Sequence, residues 1–290
     1  MAVLLEGAPV ARSLSVSIRK NVEKLSQYGV IPTLGTVRIG ARNADLAFER
    51  GASKKAESLG VRVKHFVLPE SVSEAQLVKT LEEINLDASV HGCFLFRPLP
   101  EHLNKQAIFN VLLPDKDVDA ITTASMGGIL TQNEVSFTPC TASACLEILH
   151  YYRINPEGKK IAIVGKSITV GLPTALLLVS EEATVSVCHI FTDPEDMKCF
   201  CRNADIIISA AGCQGLIKPD YVKKEQIIID VGINVNQDGK IYGDVDFEHV
   251  EPLVSAITPV PSGVGAVTST ILNKHVVEAA MRQTFGEQKT

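Results

Sequence analysis

The segment at residues 159–178, KKIAIVGKSITVGLPTALLL, combines residue types that could hold a phosphate group. A short apolar strand is predicted at residues 161–164; Gly165 follows it, and Gly171 stands near the start of an apolar helix. A glycine at the end of a strand permits a tight turn, and a helix N-terminus offers unpaired N–H groups and a partial positive charge. The spacing G-x-S-x-x-x-G departs from G-x-G-x-x-G, so a dinucleotide-binding turn and a plain strand-to-helix turn both fit it.

The next predicted strand, at residues 184–189, lies where a residue that contacts the ribose of a dinucleotide is expected, roughly 20 residues after the glycines. The strand ends in His189 and is followed by Ile190 and Phe191, without an Asp or a Glu. The absence of a carboxylate weakens an NAD-type ribose contact, whereas the side chain of Lys166 could pair with a 2′-phosphate. A solvated loop lysine is the alternative interpretation of Lys166.

These residues lie within an alternation of helical and strand-like patterns. In the first half, the patterns predict helices at 10–27, 44–59 and 73–84 and strands at Thr33–Ile39, 61–68 and 90–96. Residues 114–141 form a predicted loop-rich stretch, and a helix is predicted from Thr141 to about Tyr152. In the second half, the patterns predict strands at 161–164, 184–189, 205–210 and 227–231 and helices at 172–180 and 267–282. Such alternation predicts an α/β fold with parallel sheets and a domain boundary near residue 141.

The composition argues against several classes of protein. The chain has 290 residues, which favours two domains, and 46% of them are hydrophobic. Its 28 Lys and Arg against 33 Asp and Glu give a net charge of −5, which disfavours a nucleic-acid partner. No membrane association is predicted, since there is neither a long apolar run nor a signal-peptide pattern. The seven scattered cysteines lack zinc-type spacing, which predicts a cytoplasmic protein without a metal site.

Several segments, taken in order along the chain, together resemble one family. The sequence is similar to the methylenetetrahydrofolate dehydrogenase/methenyltetrahydrofolate cyclohydrolases from about residue 30 to residue 280. The segments that carry the resemblance are PDKDVDA (114–120), PCTAS (139–143), GKSITVG (165–171), ATVSVCH (183–189), DVGIN (230–234), GDVDF (243–247) and TPVPSGVG (258–265).

The resemblance implies a two-domain α/β subunit with a folate cleft between the domains, and usually a homodimer. Residues 1–140, joined by 268–290, would form the folate-binding catalytic domain, and residues 141–267 a Rossmann-like domain for NADP or NAD. Asp119 corresponds to the acidic residue that holds the pterin ring of the substrate. The positions implied for cofactor binding are Gly165, Lys166, Ser167, Thr169, Val170, His189, Ile190 and Ile233, and those implied for substrate binding are Pro259, Val260, Gly263 and Gly265.

The sequence departs from the family at three positions that carry hydrolytic chemistry. The family's catalytic helix has a Tyr and, four residues later, a Lys, and a Gln precedes the Pro-Leu-Pro turn. Here Phe48, Ala52 and Phe96 occupy these positions. Lys55 lies on the same predicted helical face as Ala52, about one turn or roughly 5 Å farther along, and is the candidate replacement. A surface lysine is the alternative; Arg97, similarly, could hold the glutamate tail of a folate or be solvated.

The predicted function follows from what each half-reaction requires. Oxidation of the methylene bridge needs mainly the positioning of substrate and cofactor. Hydrolysis of the methenyl product needs a positioned acid–base group, and the expected ones are missing. We therefore expect a dehydrogenase with weak or absent cyclohydrolase activity, which would work alongside a separate cyclohydrolase. The alternatives are a bifunctional enzyme that uses Lys55 or another group, and a non-catalytic protein that binds folate or nucleotide. Lys166 favours NADP, and Ile190 leaves NAD open.

Overall fold

The computed structural model describes residues 2–132, 137–236 and 239–286. The strands are β1 (Val3–Leu4), β2 (Thr33–Ile39), β3 (Arg62–Leu68), β4 (Gly92–Leu95), β5 (Lys160–Val164), β6 (Thr184–Cys188), β7 (Ile206–Ser209), β8 (Ile227–Asp230), β9 (Asn234–Val235), β10 (Ile241–Tyr242) and β11 (Ala256–Ile257). The helices are α1 (Gly7–Ser26), α2 (Asn43–Leu59), α3 (Glu74–Leu86), α4 (Lys105–Phe109), α5 (Thr123–Thr131), α6 (Cys140–Tyr151), α7 (Gly171–Ser180), α8 (Pro194–Asn203), α9 (Phe247–Val250) and α10 (Val264–Phe285).

One compact unit, which we call the folate unit, comprises residues 13–140 and 269–290. Its three parallel strands lie in the order β3-β2-β4. Every residue of the central strand β2 is buried, as expected for a parallel strand with neighbours on both sides. A cluster of buried apolar residues from β2, α3, β4 and α4 forms a core, with Val37, Leu77 and Ile108 fully buried.

The other compact unit, which we call the dinucleotide unit, comprises residues 1–12 and 141–268. Its six parallel strands lie in the order β1-β11-β8-β7-β5-β6, and β9 and β10 form a separate antiparallel pair. Buried residues of β5, β7, β8 and α8 supply the core, among them Ala162, Ile207, Ile228 and Cys201. A parallel sheet with helices between its strands is the Rossmann-like arrangement that the resemblance implies.

Local signals placed most of the predicted elements within a few residues of the observed ones. Helix α2 ends at Gly60, whose φ of 79° is the left-handed conformation that glycine adopts at low cost. Helix α3 begins after Ser73, whose hydroxyl accepts a hydrogen bond from the backbone N–H of Gln76. None of the helices within residues 2–132, 137–236 and 239–286 is both long and apolar enough to cross a membrane.

The structure corrects two expectations about organisation. Residues 1–12 belong to the dinucleotide unit and not with 13–140, because β1 pairs with β11 across about 250 residues of sequence. The predicted loop-rich stretch at 114–141 contains α5, which Thr122 caps through a hydrogen bond from the N–H of Ser125. The adjacent glycines at 127 and 128 weaken the helical pattern there.

Candidate functional site

One face of the sheet in the folate unit carries a group of aromatic side chains. The strand register places Thr36 of β2 between His65 of β3 and Phe94 of β4. Phe96 stands two residues after Phe94 and therefore points to the same face. Helix α2 brings Phe48 onto this face, where its ring stacks on that of Phe94 with 5.3 Å between the centroids.

We call Phe48, Phe94 and Phe96 the phenyl cluster. The ring of Phe96 makes edge contacts with Phe48 and Phe94, with centroids 5.9 Å and 5.0 Å away. These are the edge-to-face separations that aromatic rings favour. Ala52, one turn after Phe48 on α2, is 3% exposed and contributes a methyl group. The three positions at which the resemblance implies Tyr, Lys and Gln therefore hold side chains that neither donate nor accept protons.

A polar network borders the phenyl cluster on the same sheet face. The carboxylate of Glu49, next to Phe48 on α2, pairs with the guanidinium of Arg38 at 2.9 Å and with Nδ1 of His65 at 3.2 Å. The hydroxyl of Thr36 lies 3.2 Å from the same carboxylate and 2.8 Å from the His65 ring. Because the Arg38 and Glu49 side chains are almost buried, each supplies the countercharge that the other needs.

Lys55, the candidate replacement for the family's lysine, is directed towards α1. Its ammonium donates a hydrogen bond to the hydroxyl of Ser15 at 3.2 Å. Partial burial, with a smaller contribution from the charge of Arg19, lowers the pKa of Lys55. Its role in proton transfer stays a prediction.

Asp119, the residue that the resemblance assigns to the pterin ring, lies in the folate unit after β4 and before α5. Its Oδ2 accepts a hydrogen bond from the guanidinium of Arg97 at 2.6 Å, and its Oδ1 accepts one from the backbone N–H of Cys140 at 3.0 Å. The neighbouring Asp117 is fully buried and binds the N–H groups of Ile121 and Thr122, which fixes the start of α5. Arg97 is thus paired within the chain, in contrast to the interpretation as a solvated residue, whereas a contact with the glutamate tail of a folate stays a prediction.

The turn between β5 and α7 in the dinucleotide unit has a geometry that requires glycine. Gly165 has a φ of +125°, and a Cβ added there would lie 2.2 Å from the carbonyl oxygen of Ala210. A Cβ at Gly171 would lie 1.8 Å from the carbonyl oxygen of Gly165. Between them, the hydroxyl of Ser167 accepts a hydrogen bond from the N–H of Val170 at 3.1 Å.

The same turn lies beside the end of β6, where the second set of cofactor residues was predicted. The N–H of Gly165 donates to the carbonyl of Cys188 at 2.8 Å, so the segments that follow β5 and β6 are adjacent. Ile190 is 85% exposed, whereas the His189 ring accepts a hydrogen bond from the N–H of Phe191. Lys166 is also exposed.

This arrangement fits a bound dinucleotide. Two glycines permit a tight backbone turn in which no side chain covers the backbone, and α7 begins directly after this turn. Thr169 and Val170 complete the turn directly before α7, and Lys166 supplies a positive charge at its edge. The assignment of the phosphates to the residues of this turn stays a prediction.

The remaining predicted residues line one cavity of the dinucleotide unit, of about 190 Å³. Ile233, from the segment after β8, lies there with Pro259, Val260, Gly263 and Gly265 of the loop before α10. A Cβ at Gly263 would meet the carbonyl oxygen of Pro259 at 2.5 Å, so the loop closes tightly on itself.

Asp230 also borders this cavity, and the sequence did not single it out. Its buried carboxyl accepts hydrogen bonds from the N–H groups of Gly232, Asp244 and Val245. Burial nevertheless raises the pKa of Asp230 to about 7, and the nearby carboxylate of Asp244 adds to the effect. The two carboxyl groups connect the segments that follow β7, β8 and β10.

Comparison with known proteins agrees with this architecture. The family model for the tetrahydrofolate dehydrogenase/cyclohydrolase catalytic domain matches residues 5–119, and that for the NAD(P)-binding domain of the same family matches residues 139–284. The chain belongs to the tetrahydrofolate dehydrogenase/cyclohydrolase family. It is a methylenetetrahydrofolate dehydrogenase with an NAD(P)-binding domain, which sets aside the alternative of a non-catalytic binding protein.

Relatives of this tetrahydrofolate dehydrogenase/cyclohydrolase chain match along almost its whole length. It is 44% identical over 281 residues to the bifunctional protein FolD of Carboxydothermus hydrogenoformans, covering 96% of this chain and 97% of that one. A crystal structure of the bifunctional FolD of Campylobacter jejuni superposes with a TM-score of 0.94 at 36% identity, covering 97% and 99% of the two chains. The Trypanosoma brucei FolD, solved with NADP and an inhibitor, gives 0.93 at 31% identity, covering 98% and 99%.

Sequence reasoning missed some side chains of this family member's site, and only one left a signal. Phe94 is separated from Phe96 by one residue, so strand alternation would have placed both on one face. The partner of Arg97 is 22 residues away. Glu49 and Arg38 lie on different elements, so nothing local pairs them.

Proposed function

We propose that this chain oxidises 5,10-methylenetetrahydrofolate to the 5,10-methenyl form with NADP, and that its hydrolysis of the methenyl product is weak or absent. The weak or absent hydrolysis is inferred from the phenyl cluster and the buried Ala52. At the positions that the resemblance assigns to hydrolytic side chains, the chain presents two rings, Phe48 and Phe96, and the methyl group of Ala52. Its relatives are named as bifunctional enzymes, so the proposal separates this chain from them.

The oxidation depends on positioning, and the chain retains the groups for it. NADP, when bound, supplies the acceptor for the hydride of the methylene bridge. The turn from Gly165 to Val170 would hold its phosphates, and Lys166 would pair with the 2′-phosphate. Asp119 would accept hydrogen bonds from the pterin ring, since its carboxylate is fixed through both oxygens. None of these contributions requires the missing Tyr, Lys or Gln.

Hydrolysis requires a group that transfers protons, whereas oxidation does not. Water must add to the amidinium carbon, and a proton must then move from oxygen to nitrogen for the ring to open. A positioned acid–base group contributes typically about 10²–10⁴-fold to such a step. Phe48, Ala52 and Phe96 cannot carry a proton, so this contribution is absent from the positions where the family supplies it.

The test is a direct assay of both half-reactions on the purified chain. Dehydrogenase activity is followed by NADPH formation, and hydrolysis by the loss of methenyltetrahydrofolate absorbance above the rate without enzyme. We expect hydrolysis at least a hundredfold slower than oxidation. Hydrolysis at a rate comparable with oxidation would overturn the proposal.

A bifunctional enzyme that uses Lys55 is the second candidate, favoured by the lowered pKa of this lysine. A lysine that loses its proton more readily is a better base near neutral pH. In that case Lys55→Ala would abolish hydrolysis and leave oxidation intact. The neighbouring Lys54 is exposed and provides the matched control, since Lys54→Ala should change neither activity.

The proposal also retains two expectations about partners. A homodimer is expected from the resemblance, and its mass in solution can be measured by analytical ultracentrifugation. A chain that releases the methenyl form intact needs a separate cyclohydrolase to open the ring. Adding such an enzyme to the assay should raise the rate of formyl product formation without changing the rate of NADPH formation.

A further inference from the structure

The ion pair between Arg97 and Asp119 includes the carboxylate that is proposed to hold the pterin ring. The Nη2–Oδ2 distance is 2.6 Å, and the two side chains are 20% and 10% exposed. Removing charges from water is costly, and an ion pair at this depth is weak evidence for stability alone. A role in holding the carboxylate for a ligand accounts for the pair better than a contribution to folding.

The two oxygens of Asp119 have different partners. The N–H of Cys140 donates to Oδ1, and Arg97 donates to Oδ2. A carboxylate has about four acceptor positions, two on each oxygen, so the hydrogen bonds from Cys140 and Arg97 leave acceptor capacity for a ligand. The edge of a 2-amino-4-oxopyrimidine offers two parallel N–H donors, one from the ring and one from the amino group. Such an edge matches the two oxygens of a carboxylate.

Two hydrogen bonds, from Cys140 and from Arg97, fix the orientation of the Asp119 carboxylate more fully than one can. With Cys140 alone, the carboxylate could turn about the bond that carries it and move its second oxygen. The Arg97 contact fixes that oxygen and therefore the plane of the group. Arg97 is itself held near the end of β4, where the N–H of the preceding Phe96 donates to the carbonyl of Val37 at 3.0 Å.

We propose that Arg97 is a positioning residue, which orients the Asp119 carboxylate so that both of its oxygens accept from the aminopyrimidine edge of the substrate. This inference rests on the proposed function, because the substrate is a folate. Arg97 itself touches neither the cofactor nor the reacting carbon. Its contribution is to substrate binding and not to the chemical step.

The test compares Arg97→Leu and Arg97→Lys with Arg42→Leu as a matched control. Arg42 pairs with Asp45, which is equally buried, at 2.8 Å, and no site residue takes part in that pair. For Arg97→Leu we expect the KM for methylenetetrahydrofolate to rise about tenfold, with kcat within twofold and an unchanged KM for NADP. Arg97→Lys should recover part of the loss, and Arg42→Leu should match the wild type. An unchanged folate KM, or equal losses in kcat and both KM values, would overturn the inference.

A binding measurement tests the role of Arg97 without relying on turnover of the substrate. Binding of 5-formyltetrahydrofolate is compared with that of its analogue without the 2-amino group, for wild type and Arg97→Leu. The wild type should prefer the amino form by about tenfold, and the variant should lose most of that preference. If the wild type does not oxidise methylenetetrahydrofolate, the proposed function fails while this titration still decides on Arg97. An equal preference in both proteins would show that Arg97 does not orient the carboxylate.

Discussion

The candidate site of the dinucleotide unit consists mainly of backbone, whereas that of the folate unit consists mainly of side chains. In the dinucleotide unit, the turn between β5 and α7 is formed by backbone, and its two glycines approach carbonyl oxygens that leave no space for a side chain. In the folate unit, the sheet face is formed by side chains, and Phe48, Phe94 and Phe96 fill it. Backbone sites are constrained by the fold itself, whereas a side-chain site can lose its chemistry while its core stays packed.

In the proposed function, that difference explains how oxidation would be kept while hydrolysis would be weak or absent. The proposed positioning of the cofactor depends on the turn, whose change would disturb β5 and α7 together. The hydrolytic groups are side chains on α2 and at the end of β4, and rings and a methyl group replace them with favourable packing. The comparison predicts that small substitutions in the turn strongly weaken cofactor binding. Substitutions on the sheet face should change hydrolysis more gradually.

The largest effect is expected from Gly171→Ala. The added methyl group would lie 1.8 Å from the carbonyl oxygen of Gly165, so the turn must move. We expect the Kd for NADP, measured by fluorescence titration, to rise a hundredfold or more. Gly127→Ala is the control, because a Cβ there meets nothing within 4 Å. In Phe94→Leu, by contrast, NADP affinity should stay unchanged; a hundredfold loss there would contradict the division between the units.

The units also differ in how their buried groups respond to pH. His275, in the folate unit, donates a hydrogen bond to the carbonyl of Val118, and burial lowers the pKa of His275 to about 4. Its usual pKa near 6.5 applies in the unfolded chain, which therefore takes up the proton first as the pH falls. Stability that is present above pH 6.5 is then lost towards pH 4. Asp230, with its pKa raised to about 7, acts in the opposite sense, so its ionisation lowers stability as the pH rises from about 4 to 7.

His275→Asn tests this response, because an amide can replace the hydrogen bond to Val118 without titrating. The difference in unfolding free energy between wild type and variant, from denaturant titrations, should shrink by about 3 kcal/mol between pH 7 and pH 4. His102→Asn is the control, since His102 is exposed and its ring likewise binds a backbone carbonyl, that of Val72. A constant difference between wild type and His275→Asn would show that the buried imidazole does not titrate in this range.

The sequence predicted the conformation of the turn between β5 and α7 better than the contacts of the folate unit's side chains, for a physical reason. The turn at Gly165 follows from a local pattern of strand, glycine and apolar helix, and so do the ends of α2 and α3 at Gly60 and Ser73. Contacts between distant parts of the chain leave no such pattern. The pairing of β1 with β11 and the Arg97–Asp119 ion pair depend on how the chain packs. The loss of hydrolytic groups was visible only through resemblance, since Phe48 and Ala52 look like ordinary core residues.

A gain of function is expected when hydrolytic groups return to the sheet face. In the double variant Ala52→Lys with Phe96→Gln, hydrolysis of methenyltetrahydrofolate should rise about tenfold, well below the 10²–10⁴ of a fully positioned group. The gain is partial because Ala52 is buried and Phe48 still occupies the adjacent position. Ala47→Lys, at an exposed position of the same helix, should give none. A melting temperature far below that of the wild type would identify misfolding, whereas a stable variant without any gain would count against the assigned positions.

The smallest effect is expected for Lys166, whose side chain lies at the edge of the turn between β5 and α7. Lys166 is exposed, so its attraction for a 2′-phosphate is screened by water and salt. Lys166→Met should raise the KM for NADP about fivefold and leave the KM for NAD unchanged, whereas Lys159→Met, at the opposite end of β5, should change neither. The fivefold difference should shrink as the ionic strength increases, because screening weakens the same contact in the wild type. If both cofactors lose affinity equally, Lys166 supports the shape of the turn, and cofactor choice then depends on Ile190 and its neighbours after β6.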